Sequence, residues 1–343
     1  MRAFFAGLAA AVAALVAVAQ PAAACAGLIG PNGAVNLVRT STFAGYHNGV
    51  EHYVTAFKFQ GGSGQFGSLV PLPGIPDKVE RGGDWTLQRL VRETAPQDFT
   101  KFLGIRGTVA VPAAQRVEVI QQVKIDALDI TVLKGGGAAV GEWATEHGFR
   151  LPPDAPEVLD FYANRSPIFM AAVFDADAAK ARGQGIGDGT PVHLTIPTAN
   201  PWVPLRILAL GKKATDRVDA DVYLLTDSHP SFLPYPGANG MRLEHYAPAS
   251  KSLLDDLRSD KGMDWVPGSA WLTKIAIDAS ASQLTYDLAV DAKGVTPSRV
   301  AAGFEGPSQQ SPYPNSETLA LIGIALASIG AIALIRGTRR VFA

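Results

Sequence analysis

The residues able to do acid–base or metal chemistry are few in this chain. It has six histidines and one cysteine in 343 residues. His47 and His52 flank Glu51, a spacing that on a continuous strand sends the two imidazoles to opposite faces. It fits neither a zincin helix nor a zinc finger, and no second cysteine is present to help hold a metal. Asp227-Ser228-His229 and Glu244-His245 put acids next to imidazoles, but sequence neighbours rarely form a working dyad, and His229 before Pro230 reads as a turn residue. The pairs Asp175/Asp177 and Asp219/Asp221 share a strand face without the dense oxygen spacing of a calcium loop. No Gly-x-Ser-x-Gly elbow occurs. Gly62-Ser-Gly-Gln-Phe-Gly67 matches the dinucleotide fingerprint literally, but Ser68-Leu-Val-Pro-Leu-Pro cannot be the helix that must follow, so a hairpin loop is expected. The expectation is therefore no catalytic residue, no metal and no cofactor. A different chemistry is open to Trp202, Phe232, Tyr235 and Trp265. These loop aromatics sit among prolines and could form a recognition surface for peptide or glycan, although plugging the core beneath long loops is the favoured reading.

The elements that must position these groups are mostly strands. Val50–Phe59, Gln115–Val123, Ile168–Phe174, Leu205–Leu210, Asp221–Thr226 and Leu284–Val290 are β-branched or aromatic runs bounded by Gly, Pro or Asp. Four short helices are expected. Asp84 would cap one carrying Trp85, Leu87, Leu90 and Val91. Val140, Trp143 and Ala144 share a face in a second, stopped by Gly148. Asp154-x-x-Glu157 opens a third, and Ser250 or Ser252 a fourth with Leu253, Leu254 and Leu257 inward. The irregular alternation points to an α+β, β-rich domain rather than a doubly wound sheet. One pattern occurs twice: Val50–Phe59, a Gly-rich loop, Phe66–Val70 and prolines 71, 73 and 76; then Ile168–Phe174, a loop with Gly183, Gly185, Gly187 and Gly189, Val192–Ile196 and prolines 197, 201 and 204. It reads as two hairpins with the same punctuation, or as a duplication.

The ends carry a different message. Arg2, the apolar core Ala3–Ala19, the Gln20-Pro21 break and Ala22-Ala23-Ala24 describe a signal peptide over 1–24. Cys25 follows directly and is a candidate for lipidation, but Ala22 stands where that signal prefers Leu, so a small residue near a cut site is the favoured reading. Residues 318–335 are uninterrupted by charge, long enough at roughly 1.5 Å per residue to span about 27 Å of a roughly 30 Å hydrocarbon layer. Arg336, Arg339 and Arg340 orient such a helix with the domain outside and the basic tail, 336–343, inside. Gly323, Ala327 and Ala331 share a face with the small-residue spacing of helix pairs, a basis for weak homo-oligomerisation. Residues 303–317 read as a Pro/Gly/Ser stalk and 25–302 as the exported domain. Four of the 30 Lys+Arg and none of the 31 Asp+Glu lie in the two ends, so 25–317 carries 26 bases against 31 acids, a net charge of about −5. That excludes a general nucleic-acid or polybasic membrane grip.

The succession GSLVPLPGIPDKVERGGDWTLQRLV, GEWATEHGFRLPPDAPEVLDFYANRSPIFMAAVF and IPTANPWVPLRILAL resembles the bacterial family catalogued as domain of unknown function 2330, over about residues 25–290. Its marks are matched by Cys25, Val70-Pro71-Leu72-Pro73, Trp143 to Phe149 and Pro204-Leu205-Arg206; the further cysteines near the start of other members are missing. The resemblance implies secretion and frequently a C-terminal anchor, and brings no activity. The reading is a membrane-anchored extracytoplasmic module that binds an envelope protein or glycan or serves structurally. The rivals are an envelope hydrolase with His and acids converging from distant positions, and a precursor released by cleavage of its tail. Converging His and acidic groups in one cleft would favour the hydrolase; an exposed aromatic patch would favour binding.

Overall fold

The computed structural model describes residues 22–23, 27–30, 33–34, 39–58, 65–95, 118–184, 189–237, 239–297 and 299. In chain order the elements are β1 (Ala22–Ala23), β2 (Gly27–Gly30), β3 (Gly33–Ala34), β4 (Arg39–His47), β5 (Val50–Lys58), β6 (Gln65–Pro71), β7 (Lys78–Arg81), α1 (Thr86–Thr94), β8 (Glu118–Ile125), β9 (Leu128–Lys134), α2 (Gly137–Glu146), α3 (Ala155–Ala163), β10 (Ile168–Asp175), α4 (Ala176–Ala181), β11 (Gly189–Pro197), β12 (Trp202–Val203), β13 (Arg217–Thr226), β14 (Ser231–Leu233), β15 (Met241–Pro248), α5 (Lys251–Ser259), β16 (Trp271–Ser280) and β17 (Leu288–Asp291). The domain is the β-rich α+β protein its sequence describes. Ala22 and Ala23, within the expected signal peptide, pair with Arg39 and Thr40 of β4.

A large sheet runs β15-β16-β13-β4-β5-β11-β7, with β1 also beside β4; a second runs β3-β2-β6-β10-β9-β8; a small one runs β12-β17-β14. The two larger sheets face each other. Val218, Ala220, Val222 and Leu224 of β13 meet a common core with Ile168, Met170, Ala172 and Phe174 of β10. The alternate residues are buried too, against helices. Phe169 and Ala171 pack with Trp143, Leu159 and Tyr162 of α2 and α3; Tyr223 and Leu225 pack with Leu90 of α1 and Leu253 and Leu257 of α5. Strands covered on both faces have no polar alternation, which is why VYLL and IFMAAVF read as continuous apolar runs.

The repeated strand–loop–strand pattern does not make hairpins. β5 lies in the large sheet and β6 in the second; β10 lies in the second and β11 in the large one. Each pair of strands is thus divided between the two sheets, with β5 antiparallel to β11 and β6 antiparallel to β10. Gly67 of the dinucleotide-like stretch is inside β6, where an added Cβ would lie 2.9 Å from the Phe149 ring. Close packing, rather than phosphate binding, accounts for that glycine.

Two expected strands are corrected. Residues 206–209 form a 3-10 turn, because the main-chain N–H groups of Leu205 and Arg206 donate to the buried Asp287 carboxylate at 2.7 and 3.1 Å. The same carboxylate accepts from Tyr162 Oη at 2.8 Å and pairs with Arg165. Of Leu284–Val290, only 288 onward is strand; the preceding residues bend to deliver Asp287 to this site. Helix capping differs in the same way. Asp84 does not cap α1. No side chain caps it; Asp260 instead fixes the segment that enters the helix, accepting from Asp84 N, Trp85 N and Thr86 Oγ1 at 3.1, 3.2 and 2.7 Å, while the Asp84 carboxylate pairs with Arg81. Gly83 makes room, since a Cβ there would lie 2.1 Å from Asp260 Oδ2. Asp154 precedes α3 but accepts from Gly211 N at 2.9 Å instead. Ser250 caps α5 through Leu253 N at 3.1 Å, and Gly148 ends the α2 segment at φ +80°, both as expected.

Candidate functional site

β4 and β13 are parallel neighbours that stop together. Their last rung sets the site. Pro248, Trp271, Thr226, Tyr46 and Glu51 are successive register partners across β15, β16, β13, β4 and β5, so their side chains share one face and form a row from the open edge to the interior. One residue beyond the rung, His47 Nδ1 meets Asp227 Oδ1 at 2.6 Å, and Asn48 Nδ2 lies 2.8 Å from His47 Nε2. Both partners are partly exposed, at 27 % and 47 %.

The outer half of this end is aromatic. Trp271 packs edge-on to Tyr246 at 4.9 Å and to His229 at 6.0 Å, and Phe232 edge-on to Tyr246 at 6.2 Å. Tyr246 is fixed by its hydroxyl donating to Pro230 O at 2.9 Å. Tyr235, between Pro234 and Pro236, is 67 % exposed. It follows Phe232, which packs against Tyr246, by three residues; burial first and then the Tyr235 phenol hold the Tyr246 pKa above the ordinary value.

The inner half is a buried acid. Glu51 is 1 % exposed and neither carboxyl oxygen makes a well-formed hydrogen bond. Burial pushes its pKa up to about 8, opposed by the Trp202 main chain, so the group is neutral at pH 7. It lines a cavity with Tyr46, Thr226, Pro201, Trp202, Val203 and Val290. Tyr46 is raised as well, by burial first and then by Glu51, Asp291 and Asp227.

The next residue of β5 faces the other way. His52 Nδ1 is 3.1 Å from His193 Nε2, and His193 Nδ1 is 3.6 Å from Glu80 Oε1. Trp265 stacks on His52 at 3.8 Å and 4°. Gly45, the register partner of His52, leaves space for that indole; a Cβ would lie 2.0 Å from it. Burial lowers His52 to about 3 and His193 to about 4, so both are neutral at pH 7. This cluster joins residues distant in sequence, but Trp265 and the adjoining buried Met263 and Val266 close it over. Among the described residues, no group of three or more His, Cys, Asp or Glu is arranged to hold a metal ion.

The expectation that His47 and His52 point to opposite faces is corrected. Asn48 and Gly49 turn the chain at φ +51° and +81°, and the register pairs His47 with Val50 and Gly45 with His52, so both histidines lie on the same face. Counting parity through a turn fails, and the Asn-Gly pair is the signal that marks the turn. The four loop aromatics do not form one surface. Trp202 and Phe232 are core residues at 4 % and 5 % exposure, Trp265 is half-buried over His52, and Tyr235 alone is exposed. The residues that join it, Tyr246 and Trp271, lie on strands β15 and β16. Cys25, the small residues Gly323, Ala327 and Ala331, the arginines 336, 339 and 340, the stalk and the 318–335 segment lie outside the described residues. Among the described residues no helix is long and apolar enough to cross a membrane.

No functionally curated protein matches the sequence. The chain is similar to solved structures of baculovirus P35: the crystal structure of P35 at 11 % identity and TM-score 0.38, covering 74 % of this chain and 96 % of that one; a mutated P35 after caspase cleavage, at 8 %, 0.39, 75 % and 98 %; and the caspase-8/P35 complex, at 10 %, 0.37, 74 % and 96 %. With TM-scores below 0.5, these likenesses carry no weight for fold or function. A family model described as "uncharacterized protein conserved in bacteria" matches residues 19–233, from the sequence before β1 through β14. The chain belongs to that bacterial family, domain of unknown function 2330.

Proposed function

We propose that this protein is a membrane-anchored extracytoplasmic module that binds a component of the cell envelope through the aromatic end of its large sheet. The observation that carries this reading is Tyr235, 67 % exposed and three residues beyond Phe232, which packs edge-on to the exposed Tyr246 at 6.2 Å. An exposed ring flanked by prolines loses little freedom on binding, and clustered exposed aromatics are typical anchors of recognition surfaces. The anchor is the apolar segment 318–335 with its arginine tail, and the export signal is residues 1–24. A photoreactive residue at position 235, in cells carrying the full-length protein in place of the wild type, is expected to crosslink to an envelope component. One at Val91, an exposed residue of α1, is expected not to. Equal labelling from both positions would refute the reading. Membrane association is checked by fractionation: the full chain should sediment with membranes, and a chain ending at Ser316 should not. Tail cleavage instead predicts that the wild type itself accumulates in soluble form.

A second reading, hydrolysis, is favoured by one observation: His47 and Asp227, 180 residues apart, meet at 2.6 Å with both side chains accessible. A carboxylate that orients an imidazole is the arrangement of a general base. The buried His52–His193–Glu80 cluster is the less suitable candidate, because Trp265 covers it.

A further inference from the structure

The chemistry around Tyr235 narrows what it recognises. Strand addition by a peptide is disfavoured at this edge: β15 has a bulge between Leu243 and His245, presents Arg242 and Glu244 to solvent, and ends in Pro248. These are devices that keep an edge from pairing with another strand. Recognition must then run through side chains. Those available are the Tyr235 and Tyr246 rings, the exposed His229 imidazole and Asp227. Asp227 is held by His47 at 2.6 Å, and Asp291 is the register partner of Ser231 in β14. The cations nearby are mostly engaged: Lys274 with Glu244 and Arg242 with Glu244 and Asp278. Lys293, two residues beyond Asp291, is a further exposed cation among the described residues. An anionic polymer would meet carboxylates here rather than a basic cluster.

We propose that this end of the sheet binds a neutral oligosaccharide. A pyranose offers an apolar C–H face to an aromatic ring, and its hydroxyls donate to carboxylates and imidazoles. Tyr235 and Tyr246 provide ring faces held in place by Pro234, Pro236 and the Tyr246–Pro230 hydrogen bond. His229, 6.0 Å from the Trp271 ring against which Tyr246 packs, provides a polar partner beside them. The proposal rests on the binding-module reading and names the ligand class for the same surface.

The test uses the full-length protein in detergent micelles, fluorescently labelled, on an array of immobilised glucan, xylan and N-acetylglucosamine oligomers, with tetralysine and tetraglutamate peptides as the alternatives. Retention on at least one neutral oligosaccharide is expected. Tyr235→Ala should weaken it at least tenfold; Tyr235→Phe, which keeps the ring, and Val91→Ala, on α1, should leave it within twofold. No retention of any neutral oligosaccharide, preference for a peptide, or equal retention by the wild type and Tyr235→Ala would overturn the proposal. Crosslinking from position 235 separates the two levels. If it labels an envelope protein while no glycan is retained, the sugar assignment falls and the binding module stands; if it labels nothing, both fall.

Discussion

Glu51→Gln isolates the electrostatic cost of the buried acid. Its pKa is about 8 in the folded chain against an ordinary 4.5. A carboxyl raised on folding favours the folded state most below pH 4.5, and that contribution is lost as pH rises through 8. Between pH 5 and 7.5 the unfolded chain is mostly ionised while the folded chain mostly keeps its proton, and integrating the two titrations gives a loss of about 3 kcal/mol over that interval. Glutamine has nearly the same shape and no charge at any of these pH values. At pH 5 the folded side chain is uncharged in both proteins, so their stabilities should be close. By pH 7.5 the variant should be the more stable by about 3 kcal/mol. Urea unfolding followed by tryptophan fluorescence at half-unit pH intervals measures this. The difference between the two proteins is the quantity that matters, because the histidine cluster contributes equally to both. A difference constant to within about 0.5 kcal/mol across the interval, or one of opposite sign, would show that Glu51 is not a buried neutral acid.

The histidine pair gives the opposite slope. Because His52 and His193 are depressed to about 3 and 4, folding excludes protons from them, and stability should fall as pH drops from 6.5 toward 4. The loss should approach about 3 kcal/mol per group, and His193→Gln should flatten the slope by roughly half in the same urea assay. Asp260→Ala removes three hydrogen bonds at the start of α1 and should cost about 2–3 kcal/mol. Faster hydrogen exchange confined to α1 and its neighbours would confirm where the loss arises; uniform acceleration would not. Gly45→Ala drives a methyl into the Trp265 ring and should cost about 1–3 kcal/mol. Trp265→Ala should reduce that penalty, and a penalty unchanged in the double variant would refute the contact.

The apolar periodicities were legible wherever one segment fills one strand. β10 and β13 fall within a residue or so of their expected C-terminal ends, and Ser250 and Gly148 terminate helices by purely local chemistry. The failures share one cause, a partner remote in sequence. Leu205–Leu210 has strand composition, but Asp287 takes the amides a ladder would use. Asp84 is a good cap by type, yet its carboxylate is drawn to Arg81 and its own N–H is held by Asp260. The Gly-rich connections have hairpin punctuation, and only the pairing of β5 with β11 shows that they change sheets. At the candidate site, Tyr235 was identifiable from its prolines. Tyr246 and Trp271 were not, because nothing in a strand sequence says that it lies at an edge. His47 and Asp227 meet only because β4 and β13 run parallel, an association that no local pattern announces.

That parallel pairing has a consequence for how the chain becomes a domain. Residue 40 lies beside residue 220 in the middle of the large sheet, and the two strand pairs divided between the sheets tie the second sheet to it. Loop closure over 180 residues must therefore precede the central ladder, which places the rate-limiting contacts late in the sequence. The central ladder of the large sheet cannot close until β13, residues 217–226, is available, although every strand of the second sheet lies before residue 176.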